Sequence, residues 1–191
     1  KNKITNILKG IKGEQKKLRD LCNYSENRVN STLLTSKNYI GVDNLLQNMV
    51  GKVNSNFVPN SGTSTEYKKG DILLSNIRPY LKKIWFADED GGSSNDVLVL
   101  QKTDENTNSK YIYYILKQDD FFDYEMQKPK GIKMPRGDKQ HIMGYKIPLP
   151  PLSEQQKIVA EIEQLEEKIK TLEKEIAEIP KHKEAVLKKY L

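Results

Sequence analysis

The stretch PLPPLSEQQKIV, Pro148 to Val159, decides how this chain is organised. Its three prolines, Pro148, Pro150 and Pro151, fall within four positions. Each fixes φ and pushes the residue before it into an extended conformation, so 148–152 reads as a stiff strut rising about 3 Å per residue. Ser153 and Gln156 stand at capping-box spacing, and Glu154 complements the positive end of a helix dipole, which predicts a helix from Glu154 onward. Behind it Ile158, Ile162, Leu165, Ile169, Leu172, Ile176 and Ile179 follow at gaps of 4, 3, 4, 3, 4 and 3. That is the seam of a coiled coil, narrower than the apolar stripe of a globular surface helix. The run from Lys157 to Ile179 would be about 35 Å long at 1.5 Å per residue. Pro180 is expected to kink or break it, after which KHKEAVLKKYL resumes as a short basic helix. The seam needs a partner helix, and a homodimer through this helix is expected. Glu161, Glu166, Glu173 and Glu175 flank the seam against Lys168, which leaves parallel and antiparallel pairing open.

Upstream the texture is mixed. Ile4, Ile7, Leu8 and Ile11 keep the spacing of one helix face, weakened by Gly10 and Gly13. NYIGVDNLL reads as a short strand leading into a turn or helix. Strands are expected at Asp71–Ser75, Leu81–Ala87 and Asp96–Leu100, punctuated by Gly70-Asp71 and Gly91-Gly92. NSKYIYYILKQDDFFDYEM reads as one helix with Tyr111, Ile115, Phe122 and Met126 facing a core. Asp138 can cap a short helix from Lys139 to Met143, and Tyr145–Ile147 is the last expected strand. The fold class is therefore α+β: a mixed domain over 1–147, the strut over 148–152, and a long coiled-coil helix over 153–191.

The chain has 191 residues, with 32 basic and 26 acidic side chains and a net charge of +6. Eight Lys and nine Glu lie between Glu154 and Leu191, so the preceding 153 residues carry +7. A positive front domain suits a polyanionic partner, nucleic acid being the commonest. The lone Cys22 permits no internal disulfide, and the longest apolar runs fall far short of the roughly 20 residues that cross a bilayer. A cytoplasmic setting without a membrane is expected. Lys1 in place of an initiating methionine reads as a trimmed product or a fragment.

KIPLPPLSEQQKIVAEIEQLEEKI, together with GDILLSNIRPYLKKIWF and NDVLVL, resembles the specificity subunits of type I restriction–modification systems. The resemblance implies a target-recognition domain that reads one part of a split DNA site. It also implies a conserved helix that pairs antiparallel with a second one as a spacer. Docking of DNA methyltransferase subunits and a restriction subunit would follow. Members of that family carry two recognition domains and two helices; this chain has one of each and resembles half a subunit. Two copies could rebuild the whole, or the chain could be the specificity portion of a single-chain restriction–methylation enzyme.

The residues themselves offer no chemistry. There is no P-loop and no Asn/Asp-Pro-Pro-Tyr/Phe run, and Pro150-Pro151 is flanked by leucines. His141, His182 and Cys22 make no zinc pattern, and ADEDGG reads as a hairpin turn. Neither a cofactor nor a metal is expected. For double-stranded DNA the candidates are Arg78, Lys82 and Lys83 around NIRPY, and Lys130, Lys133, Arg136, Lys139 and Gln140 in the late basic loop. Lysine and arginine hold phosphate, and Arg and Gln can also read guanine and adenine edges. The competing reading is a coiled-coil adaptor whose basic charge is incidental.

Overall fold

The computed structural model describes the backbone of residues 2–131 and 133–190 and the side chains of 3–131 and 133–180. The chain opens with α1 (Asn2–Lys9) and β1 (Glu14–Lys17), then β2 (Cys22–Tyr24), β3 (Arg28–Asn30), β4 (Tyr39–Ile40), β5 (Leu45–Leu46) and β6 (Gly51–Lys52). It continues through β7 (Thr63–Tyr67), β8 (Ile72–Ser75), β9 (Ile84–Phe86), β10 (Gly91–Ser93) and β11 (Val97–Lys102). Helices α2 (Ser109–Leu116), α3 (Asp119–Glu125) and α4 (Lys139–Ile142) precede β12 (Lys146–Leu149) and the long α5 (Leu152–Tyr190). The class is α+β, as expected.

The centre is the sheet β2-β11-β8-β9, antiparallel throughout. Its inner strands read ILLS and VLVL, buried at every one of those positions, because both faces are covered. Alternate residues point to opposite faces. Ile72, Leu74, Ile84, Leu98 and Leu100 enter one core with Leu18 and the aromatic residues of α2 and α3. Leu73, Trp85, Val97 and Val99 enter a second core against Ile40, Leu45 and Tyr67, which come from the neighbouring strands. There the sheet β3-β7-β10-β4 closes the sandwich, and Tyr67 meets Trp85 edge to face at 5.8 Å.

Several boundaries differ from the sequence expectation, each for a local reason. The single helix expected from Ser109 onward is two. The backbone leaves the helical region at Lys117 and Gln118. The Gln118 side chain donates to the carbonyls of Tyr114 and Lys117, satisfying the end of α2, and Asp119 and Asp120 then open α3. Pro148 and Leu149 are extended but are not a free strut: they pair with Gln15 and Glu14 in the two-stranded sheet β1–β12. The long helix starts at Leu152, with the Pro151 carbonyl accepting from the N–H groups of Glu154 and Gln155, so Ser153 lies inside the first turn rather than capping it. The helix is one element through Pro180. The basic helix expected after it falls among residues whose side chains are not described.

The seven-residue pattern divides in two. Ile158 and Ile162 are buried, together with Val159, in the first core against α1 and α2. Leu165 and Ile169 are half-buried. Leu172, Ile176 and Ile179 are 46%, 63% and 57% exposed. The proximal seam is thus a globular contact of this chain with itself, and only the distal seam stands open.

Candidate nucleic-acid interface

Three loops meet at one edge of the central sheet. The first follows β8 through Asn76, Ile77 and Arg78 into a tight helical turn, Pro79–Leu81. The second is the tip of the β5–β6 hairpin. The third joins α3 to α4 and carries the late basic residues.

Backbone hydrogen bonds knit them together. The N–H groups of Asn48 and Met49 donate to the carbonyls of Leu81 and Lys82 at 3.0 and 2.8 Å. Arg78 N–H donates to Pro135 O at 2.8 Å, and Ile77 forms an isolated β-bridge with Arg136. Lys130 and Arg136 exchange two bonds of 2.8 Å, closing the third loop on itself. The NIRPY turn and the late loop are separate groups in the sequence; the fold makes them adjacent. Asp138 caps α4 as expected, accepting from the N–H groups of Gln140 and His141.

Strain collects at the same place. Among the described residues the non-glycine positions with positive φ are Asn48, Met49, Arg78 and Lys82, at 57°, 61°, 51° and 50°. Two adjacent residues of this kind are the signature of a tight hairpin turn. All four lie in the first two loops. Such backbone persists where surrounding structure over-determines it, and it clusters at functional sites.

The side chains fall into three groups. Arg78 and Lys133 are exposed and make no ion pair among the described residues, and Gln140 is exposed on α4. Lys130 pairs with Asp138 at 2.8 Å, Arg136 with Asp96 at 3.3 Å, and Lys82 with Asp119. The Lys139 ammonium lies over the Tyr24 ring, 5.8 Å from its centre. The Lys130 ammonium, followed by the α4 N–H groups, holds the Asp138 carboxyl down at about 2. Lys83 stands apart. It is 8% exposed, its ammonium donates to Val42 O at 2.7 Å, and burial lowers its pKa.

The chain matches the family model for the type I restriction modification DNA specificity domain over residues 11–181. This chain belongs to that family. It is 29% identical over 111 residues to the type I restriction enzyme EcoDI specificity subunit of Escherichia coli, covering 58% of this chain and 24% of that protein. It is 30% identical over 135 residues to the MjaVIII specificity subunit of Methanocaldococcus jannaschii, covering 71% and 31%. The specificity domain thus spans about a quarter to a third of these curated relatives. Its fold is also that of the HsdS subunit from Thermoanaerobacter tengcongensis, at 24% identity and a TM-score of 0.64 over 86% of this chain and 45% of that one. The type I S subunit from M. genitalium shares the fold at 14% identity and a TM-score of 0.59, over 86% and 42%.

Within the specificity domain, sequence reasoning missed the hairpin tip. Gln47 and Val50 there are exposed, as are Tyr80 and Met134 in the adjoining loops. The only signal was two very short apolar runs around QNMV, with neither Gly nor Asp in the turn.

Proposed function

We propose that this chain is the non-catalytic DNA-recognition half of a type I restriction–modification specificity subunit. Its three joined loops lie against one half of a bipartite duplex target. Arg78, Lys133, Arg136, Lys139 and Gln140 make the contacts. Lys82 and Lys130 contribute through ion pairs that exchange carboxylate for phosphate. Lys83 has no part in it, because its ammonium is used inside the fold. Methylation and cleavage come from methyltransferase and restriction subunits docked on the same assembly. The distal seam, Leu172, Ile176 and Ile179, pairs with a second helix, from another copy or from the other half of a longer chain.

The observation that carries this reading is the convergence of the two basic segments. Two stretches separated by about fifty residues of sequence become one face, held by the Arg78–Pro135 bond and the Ile77–Arg136 bridge. Phosphate contacts give affinity and a salt dependence, and base-edge contacts give specificity. The test is duplex binding by the chain assembled with its methyltransferase partner, measured across a salt series. Lys133→Glu with Arg136→Glu should weaken binding at least about tenfold and flatten the salt dependence by roughly two contacts' worth. Unchanged affinity and slope would leave an adaptor that binds only protein.

A further inference from the structure

Glu125 ends α3 with a completely buried side chain, and among the described residues neither of its carboxyl oxygens has a hydrogen-bond partner. Asn76 Oδ1 is a second buried acceptor without a donor. The two crowd one point. A Cβ on Gly137 would sit 2.3 Å from Glu125 Oε1 and 3.0 Å from Asn76 Oδ1, so any side chain there would displace these buried groups. In this orientation of the Asn76 amide two neighbouring acceptors repel, and a carboxylate left unpaired in an interior is costly. A carboxylic acid differs, since it brings one O–H donor.

We propose that Glu125 is held as the neutral acid and donates its proton to Asn76 Oδ1, positioning the arginine-bearing loop on the sheet. One added proton gives Asn76 Oδ1 its donor and removes the charge from the carboxyl. Burial pushes the Glu125 carboxyl up to about 8, in the same direction. A negative charge would also stand at the wrong end of α3, whose last carbonyls repel it.

The charged and titratable neighbours leave the role to this proton. The Tyr24 hydroxyl donates to Lys139 O at 3.0 Å, and the Lys139 ammonium lies over the Tyr24 ring. The His141 ring stacks on Tyr124, with Nε2 2.9 Å from Tyr124 O. Asp138 is taken by Lys130 and the α4 N–H groups, and Arg136 by Asp96. On α3 itself, Asp119 pairs with Lys82 and Asp120 with Lys9, while Asp123 is exposed. No cation is left among these to neutralise a Glu125 carboxylate.

Asn76 is the hinge between the acid and the interface. Its carbonyl accepts from Gly137 N–H at 3.1 Å, and the next two residues bond Arg136 and Pro135. Locking the Asn76 side chain fixes Arg78 and Arg136 in register. A carboxyl raised from its ordinary range favours folding most at low pH, and that contribution is lost as pH rises through about 8. Loosening of the loop is therefore expected between neutral and moderately alkaline pH.

The test has one arm without DNA and one with it. Infrared spectra of the full chain carrying ¹³C-glutamate should show a protonated-carboxyl stretch at neutral pH that fades near pH 8 and is missing in Glu125→Gln. Hydrogen-exchange protection at Arg78 and Gly137 should fall over the same range in the native chain and stay level in Glu125→Gln, whose amide can still donate to Asn76. The second arm rests on the proposed DNA reading. Duplex affinity should drop from pH 7 to pH 9 in the native chain and not in Glu125→Gln. Glu125→Ala should lose about tenfold at every pH, the effect of one buried hydrogen bond. A pH profile shared by native chain and Glu125→Gln, or no protonated band at pH 7, overturns the assignment; a water or cation between the two oxygens would give that second result. If Glu125→Ala does not fold, the glutamine variant still decides. Failure of every variant to bind DNA would sink the proposed function and leave the exchange and infrared results standing.

Discussion

The side-chain carbonyl of Gln155 accepts a hydrogen bond from the backbone N–H of Asn108 at 2.9 Å. Asn108 in turn caps α2, its Oδ1 accepting from Lys110 and Tyr111 N–H. The Gln155 amide nitrogen donates to Pro150 O and Asn106 O at 2.9 and 3.2 Å, and the residue is 1% exposed. One buried amide thus ties the first turn of the long helix to the proline segment, to the loop before α2 and to the α2 cap. Further along, Glu166 accepts from Tyr114 at 2.8 Å and pairs with Lys117 at 2.9 Å. The angle between domain and rod is set by these contacts, with the prolines supplying only an extended approach. Gln155→Ala leaves Asn108 N–H and two carbonyls without partners. It should cost about 2–4 kcal/mol on chemical denaturation, with the cap of α2 fraying first in hydrogen exchange.

On the proposed pairing of the distal seam, the divided seam separates folding from association. Ile162 is 0% exposed, so Ile162→Ala should cost the folded chain about 2–5 kcal/mol. Ile176 is 63% exposed, so Ile176→Asp should change chain stability by less than about 0.5 kcal/mol. It should nevertheless abolish pairing with the second helix. Sedimentation of the native chain and of Ile176→Asp with Ile179→Asp reads this directly: self-association in the first, a monomer in the second. Identical monomers at high concentration would assign the open seam to another chain.

Much of this was legible, and the failures share a cause. The runs ILLS and VLVL announced strands, though of a half-buried surface rather than one covered on both faces, and Asp138 announced its helix, because these signals are local. The break at Lys117 was not legible. It depends on Gln118 closing α2 with its own side chain, while Thr5, more than a hundred residues away in sequence, donates to its Oε1. The heptad showed that the helix has one apolar line, but periodicity cannot tell a neighbour's helix from the chain's own core. Lys83 looked like Lys82 in sequence. Strand alternation and a turn with left-handed residues at both ends sent one ammonium outward to Asp119 and the other inward to Val42 O. The approach of Glu125 and Asn76 to Gly137 needed two segments about fifty residues apart in sequence to meet there.

Arg78 offers a trade between stability and function. It holds φ 51° and ψ 64°, a left-handed conformation that costs a side-chain-bearing residue about 1–2 kcal/mol. Its side chain is exposed, so a glycine there forfeits little packing. Arg78→Gly should therefore stabilise the domain by about 0.5–1 kcal/mol, after the larger entropy of the unfolded glycine chain is counted. A rise in Tm of roughly 1–4 °C would report it. The same variant should weaken duplex binding, because it removes a cation from the centre of the three loops. A residue kept in strain for structure alone would give the opposite pair of results.

Lys83 and Arg136 allow a comparison at constant charge change. Each neutralising substitution lowers the net charge by one, so a long-range effect of overall charge would weaken DNA binding equally in both. A contact effect would not. Arg136 is at the surface, and its partner Asp96 is itself partly exposed, so the guanidinium can move to a phosphate or a guanine edge. Arg136→Gln should lower the slope of log affinity against log salt by about 0.9 and reduce discrimination against a mismatched site. Lys83→Met keeps the buried stem and gives up only the bond to Val42 O, leaving one carbonyl short of a donor. It should cost about 1–3 kcal/mol of folding stability and leave the salt slope of the surviving folded protein unchanged. Equal slopes in the two variants would mean that the three-loop face attracts DNA only as part of a diffuse positive field.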